Sequence, residues 1–149
     1  MKIIKLETTF IQPRWLFLKI HTDEGLVGYG EPIVEGRART VAAAVHEMEE
    51  YLIGKNPLEI NRHWQILYRG TFYRGGPVLT SALSGVEQAL WDIKGKYHGV
   101  PVYQLLGGAV RDRIRVYAHA SGDTIESYIQ RANEQIALGF TALKTSFSG

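Results

Sequence analysis

Apolar and polar positions alternate with a period of two over roughly the first thirty residues, and then recur at steps of three and four. Residues 2–11 are rich in Ile, Leu, Thr and Phe, as expected for a strand, and after Pro13 the run from Trp15 to His21 supplies a second. Thr22-Asp23-Glu24-Gly25 carries turn chemistry, and Leu26 to Gly30 returns as the partner strand. The opening is thus predicted to be an antiparallel meander. Glu31 to Arg37 is a connection with two acids and a basic residue. A helix follows with Val41, Val45, Met48 and Leu52 on one face, closing at Gly54. Asn56-Pro57 reads as the start of the next helix, with Asn56 as cap and Pro57 in the first turn. Ile60, Trp64, Leu67 and Tyr68 form its inward face.

The strongest pattern follows a loop rich in glycine and aromatics, Gly70 to Pro77. Leu79, Leu83, Val86, Leu90 and Ile93 recur at steps of four, three, four and three, the core-facing stripe of a helix. Ala82 and Ala89 beside the stripe leave room for another element to approach closely. Pro77 suits the first helical position, and Gly99 followed by Pro101 ends the helix. A short apolar run, Val102 to Leu106, then meets Gly107 and Gly108.

Beyond Gly108 the periodicity changes. Residues 113–119 alternate like a strand, and Asp123 or Thr124 caps a helix marked by Tyr128, Ala132, Gln135 and Ile136. Gly139 ends it, and Phe140 to Thr145 reads as another strand. Strand, helix and strand make one βαβ unit with a right-handed connection. Two parallel strands and one helix cannot close a core, because a parallel sheet is covered on both faces. The domain reading is therefore residues 1–108 as an α+β domain and 109–149 as the first unit of a (β/α) barrel. A complete barrel takes about 250 residues, so the chain is expected to be the front part of a longer protein. Unpaired strand edges in such a stub predict poor solubility.

Composition narrows the class without changing this picture. The 149 residues are 45% hydrophobic and 21% charged, ordinary values for a globular chain. A net charge of +2 with no basic run gives no argument for nucleic acid. Without cysteine there is neither a disulfide framework nor a thiolate metal site. No apolar run approaches the roughly 20 residues that span a bilayer, and Met1 to Lys5 reads as strand and not as a signal peptide. A cytoplasmic enzyme or binding domain fits.

Nucleotide-binding glycine loops, zinc-protease and serine-hydrolase signatures are absent from the sequence, so candidate chemistry rests on placement. Barrel active sites lie at the C-terminal ends of strands, and this chain offers two such ends, at His119 and at Lys144. Lys144 is open to three readings: proton-transfer base, carboxylate anchor or solvated surface lysine. His119 either donates a hydrogen bond to a substrate hydroxyl or simply ends a strand. His46, His63 and His98 sit in helical context and read as surface or packing residues.

The run from Ala89 to Lys96 (Ala-Leu-Trp-Asp-Ile-Lys-Gly-Lys), continued by Gly99, Pro101 and Leu105 to Gly108, resembles the segment joining the two domains of enolase-superfamily proteins. Further stretches extend the resemblance: Arg14 to Ile20, Gly30-Glu31-Pro32, Glu35-Gly36-Arg37, His63-Trp64-Gln65 and Phe72 to Pro77. Together they are similar to the capping domain of sugar-acid dehydratases in the mandelate racemase subgroup, the galactonate dehydratases above all. The resemblance implies a lyase that removes the proton α to a carboxylate and expels the β-hydroxyl, giving a 2-keto-3-deoxy acid. It implies Mg²⁺, with its ligands and the principal acid and base downstream of residue 149 and no metal ligand within the chain. An aldonate substrate and a homo-oligomer are implied as well, with neither nucleic acid nor membrane as partner.

By position in such a domain, Arg14, Glu35, Arg37, Tyr73 and Arg74 are candidate substrate contacts, since polyols need hydrogen-bond partners and a carboxylate suits Arg. The alternative for Arg37 and Arg74 is that they brace a surface between domains. His119, Lys144 and Ser146 complete the candidate set. Lys144-Thr145-Ser146 lacks the second lysine of the Lys-x-Lys pair that many relatives use as base, which argues against racemase chemistry. Ser146 stands where galactonate dehydratases usually have Asn, and His119 to Gly122 resembles mannonate dehydratases more closely. A mannonate- or gluconate-type dehydratase and a catalytically incompetent fragment are the alternatives.

Overall fold

The structure, a computed structural model, describes residues 1–145 and divides into two compact units, Met1–Gly108 and Ala109–Gly149. In the first unit, strands β1 (Ile3–Ile11), β2 (Trp15–Thr22) and β3 (Val27–Gly30) form an antiparallel sheet in the order β1-β2-β3. The alternation in β2 is regular: Leu16, Leu18, Ile20 and Thr22 are buried, and the residues between them face outward. In β1 the buried residues Ile3 and Leu6 are three apart, which a strict period of two would send to opposite faces. A register irregularity between Ile3 and Lys5 returns both to the core.

Helices cover the inner face. The segment predicted as one helix is interrupted by a turn at Met48, giving α1 (Ala38–Glu47) and α2 (Glu49–Leu52). Val41, Val45 and Leu52 are nevertheless fully buried together. The start predicted at Asn56-Pro57 is also corrected. Helix α3 (Ile60–Arg69) begins at Ile60, because the Asn56 side chain accepts from the Leu58 amide at 3.1 Å and holds a turn there instead. The long helix α4 (Pro77–His98) starts with Pro77 in its first turn and ends on Gly99, whose φ of 67° is the left-handed cap. The short helix α5 (Val102–Leu105) follows. Leu83, Val86, Leu90 and Ile93 of the predicted stripe are buried. Leu79, in the first turn of the helix, is 39% exposed and stands outside the core.

What positions this unit is the contact between α4 and the edge strand β3. Gly28 and Gly30 face the helix so closely that a Cβ on either would stand 2.0 Å from a backbone oxygen, that of Ala89 or of Gly85 respectively. Gly85 in turn leaves the notch that Pro32 fills. On the same helix, Gln88, Asp92 and Lys96 recur every four residues and reach the unpaired backbone edge of β3. Gln88 Oε1 accepts from the Glu31 amide (2.9 Å) and Asp92 Oδ2 from the Tyr29 amide (2.9 Å); Lys96 Nζ donates to the Val27 carbonyl (2.7 Å). Lys96 and Asp92 are themselves paired at 2.7 Å. An edge that would invite another strand is thereby closed from within the unit.

In the second unit, β4 (Ala118–His119) and β5 (Leu143–Lys144) pair in parallel and α6 (Ile125–Ala137) connects them. Thr124 caps α6 in a reciprocal arrangement with Ser127. Both strands are shorter than predicted. Within the stretch expected as strand 113–119 only Ala118 and His119 enter the ladder, and Arg115 upstream turns its guanidinium to Thr141 Oγ1 at 3.0 Å. Ala118 and Ala120 are the buried residues of this unit among those described.

Candidate functional site

The candidate residues of the first unit fall in two places. The chain turns between β1 and β2 at residues 12–14, where the Gln12–Pro13 peptide is cis and Arg14 precedes Trp15. The connection leaving β3 carries Glu35, followed by Gly36 at a φ of 73°. Arg14 Nη1 lies 3.1 Å from Glu35 Oε1, an ion pair between exposed side chains that links two loops separated by the whole of β2 and β3. The Arg14 guanidinium also stands over the Trp15 ring, 5.3 Å from its centroid. Arg37 donates to the Gly36 carbonyl at 3.1 Å. Arg14 and Glu35 are brought together, on geometry that offers a guanidinium fork for a carboxylate and an acceptor for hydroxyls.

The second place is the loop between α3 and α4. Thr71 Oγ1 donates to the Tyr73 carbonyl (2.7 Å) and Arg74 Nε to the Thr71 carbonyl (3.4 Å), so the loop is tied to itself. Gly75 and Gly76, with φ near 75° and 80°, turn the chain into the helix. Phe72 and Tyr73 project into solvent, edge to face with centroids 5.3 Å apart. Behind them lies a cavity of about 490 Å³, walled by the loop, Met48, Tyr51, Tyr68 and Leu79. This is why Leu79 is exposed despite its place on the apolar stripe: the loop stands off the first turn of α4. Tyr73 and Arg74 line this cavity; Arg14, Glu35 and Arg37 do not.

In the second unit, register places His119 directly opposite Lys144, and side chains paired across a parallel ladder share a face. The Ala120 amide continues the ladder by donating to the Lys144 carbonyl at 3.0 Å. Tyr117 joins them, its ring 5.7 Å from that of His119 and 5.8 Å from Lys144 Nζ. A phenol, an imidazole and an ammonium thus share the C-terminal ends of two parallel strands. Tyr117 escaped the sequence reading, although its spacing of two from His119 was the available signal. Ser146 lies outside the described residues.

The remaining histidines divide. His63 is buried and structural. Its Nε2 faces the Asn56 carbonyl at 2.7 Å, which can only accept, so with a neutral ring the hydrogen is on Nε2 and Nδ1 accepts from the Tyr51 hydroxyl at 2.8 Å. Burial pushes the Tyr51 phenol above its ordinary range. His46 is exposed, its ring nitrogens 3.0 Å from Thr8 Oγ1 and 3.2 Å from Glu49 Oε1. Among the described residues no three His, Asp or Glu side chains converge where a metal ion could sit. These residues do not by themselves form a Mg²⁺ site. Nor, among the described residues, is any helix long and apolar enough to cross a membrane.

An antiparallel meander backed by helices, passing through a long glycine-capped helix into the second unit, defines a capping-type α+β domain. Residues 4–107 match the description of the mandelate racemase / muconate lactonizing enzyme N-terminal domain. The chain belongs to that family, and its first unit is the N-terminal capping domain of the enolase superfamily. It is 59% identical over 144 residues, 97% of its length, to the D-galactonate dehydratases of Pectobacterium atrosepticum and Ralstonia nicotianae, and covers 38% of each. The chain thus spans little more than a third of the curated relatives it matches. A crystal structure of an enolase from Pantoea ananatis with bound D-gluconate and Mg superposes with a TM-score of 0.90 at 37% identity, covering 97% of this chain and 36% of that one. An enolase from Agrobacterium radiobacter, bound to Na and L-malate, gives 0.87 at 30% identity, covering 98% and 38%.

Proposed function

We propose that this chain is the N-terminal part of a Mg²⁺-dependent acid-sugar dehydratase acting on galactonate or a close aldonate. The observation that carries this reading is the 59% identity to D-galactonate dehydratases across nearly the whole chain. In the proposed reaction a base removes the proton α to the carboxylate. The β-hydroxyl leaves as water with a proton from a general acid, and the enol formed becomes a 2-keto-3-deoxy acid. Bound Mg²⁺ would stabilise the charge that develops on the carboxylate; its ligands and the principal acid and base belong to sequence beyond residue 149. The second unit, residues 109–149, is read as the first βαβ unit of the barrel that carries them.

Within this chain we assign binding and orienting roles. Arg14 and Glu35, with Arg37 in the same connection as Glu35, are assigned as one set of substrate contacts, and Tyr73 and Arg74, which line the cavity by the α3–α4 loop, as another. His119 donates to a substrate hydroxyl. Lys144, held on the same face, places a positive charge near the substrate carboxylate, and Ser146 is assigned as a further substrate contact. The protein is read as a cytoplasmic homo-oligomer. A gluconate- or mannonate-type dehydratase is the second reading, favoured by the solved enolase with D-gluconate that superposes on 97% of the chain.

The test is a panel of aldonates with Mg²⁺, assayed on this chain and on the full-length product of its gene. Keto-acid formation from galactonate by the full-length product alone supports the first reading, and a preference for gluconate or mannonate supports the second. Activity of residues 1–149 alone would overturn the placement of the metal site downstream. No product from any aldonate would leave the capping domain without this chemistry.

A further inference from the structure

The ladder of side chains on α4 ends at a point where it has more to do than close a sheet edge. Pairing between β2 and β3 stops at Leu18 opposite Gly30. The next residue, Glu31, is the first of the connection that carries Glu35 and Arg37, and its amide is held by Gln88 Oε1 at 2.9 Å. The orientation of the Gln88 amide is consistent at its other end, where Nε2 reaches Ser84 Oγ at 3.2 Å. Pro32 is fully buried, seated in the notch left by Gly85 one turn from Gln88. Past Pro32 the connection bonds within itself, from the Ile33 amide to the Glu31 carbonyl (3.1 Å) and from the Arg37 amide to the Val34 carbonyl (2.9 Å). Its contact with the β1–β2 turn is the exposed Arg14–Glu35 ion pair, and exposed pairs of this kind hold little on their own.

We propose that Gln88 is a positioning residue for the 31–37 connection: by fixing the Glu31 amide it sets where the connection leaves the sheet, and hence whether Glu35 meets Arg14. Gln88 touches no substrate in this scheme; it acts through the backbone it holds. The proposal rests on the reading above insofar as Arg14 and Glu35 serve an aldonate, while the anchoring itself does not depend on that reading.

The experiment compares Gln88→Leu, which removes the acceptor at similar volume, with Gln88→Glu, which keeps an acceptor oxygen, in the full-length gene product. Ile60→Val serves as the control for general destabilisation. Amide exchange is read at Ile33 and Arg37, and KM and kcat are measured with D-galactonate. The expected result is exchange at both amides faster by about tenfold in Gln88→Leu, with KM raised about threefold to tenfold and kcat within twofold. Gln88→Glu should restore both, and Ile60→Val should produce neither. Unchanged exchange at Ile33 and Arg37 in Gln88→Leu would overturn the proposal, as would the same pattern in Ile60→Val. If the unmodified protein dehydrates no aldonate, the functional reading fails, and the exchange data alone still decide the role of Gln88.

Discussion

His63 shows how much a single side chain can hold. It joins Tyr51 to the backbone at Asn56 from a position that is almost wholly buried, so both of its partners lose their hydrogen bond if it is replaced by an apolar residue. We expect His63→Leu to cost about 2–4 kcal/mol, the penalty for leaving buried polar groups unpaired, read as a fall in the urea midpoint with an unchanged slope. Glu7 gives a case of opposite character, on the outer face of the sheet. Lys5, hydrogen-bonded to it at 2.7 Å, holds its carboxyl below the ordinary value of 4.5, with charge from Lys5, Lys19 and His21 acting the same way. A carboxyl depressed in the folded state favours folding above its unfolded pKa, and the contribution is lost as pH falls through the depressed value. Lys5→Met should therefore raise the Glu7 midpoint in an NMR titration; an unmoved midpoint would show that the ammonium is not the cause.

At the scale of elements, the seam between α4 and β3 organises the first unit. Close approach of the backbones is possible because neither Gly28 nor Gly30 has a side chain, and because Ala89 and Gly85 oppose them. The conformation of Gly30 is ordinary, so Gly30→Ala tests space alone. A Cβ 2.0 Å from the Gly85 carbonyl oxygen must push strand from helix, at about 1–3 kcal/mol or more. Equilibrium denaturation in urea would reveal a cost near zero if the seam were loose. The polar half of the seam makes a separate prediction. Asp92→Ala strips the Tyr29 amide of its acceptor and Lys96 of its ion-pair partner, leaving Lys96 its bond to the Val27 carbonyl, and should cost about 1–2 kcal/mol in the same measurement. The apolar stripe of α4 and the small residues beside it were legible as sequence. The spacing of Gln88, Asp92 and Lys96 was equally visible, but nothing in one dimension told that it faced a strand edge instead of water.

For the whole molecule, buried apolar residues are distributed unevenly. The buried core cluster, from Ile3 to Ile93, lies within Met1–Gly108, whereas Ala118 and Ala120 are the buried residues of the second unit among those described. Ile114, Val116, Ile125, Ile129, Ile136 and Leu138 stay more than half exposed. Hydrogen exchange on the 149-residue chain should therefore show strong protection in β2 and α4 and weak protection in α6; equal protection of α6 would mean that the second unit has a core of its own. By itself the sequence determined the order of strands and helices, though not all their bounds, because periodicities of two and of three to four are local records of which side each element buries. Chain punctuation at Pro77, Gly99, Thr124 and Gly139 was likewise local chemistry. Tertiary structure alone decided the rest. It paired Arg14 with Glu35 and set His119 beside Lys144 and Tyr117. It moved Leu79 off the core and let Asn56 hold a turn where a helix cap was expected. Each of these depends on groups distant in sequence, or on a competition between two hydrogen-bonding geometries of similar energy, and neither leaves a period in the chain.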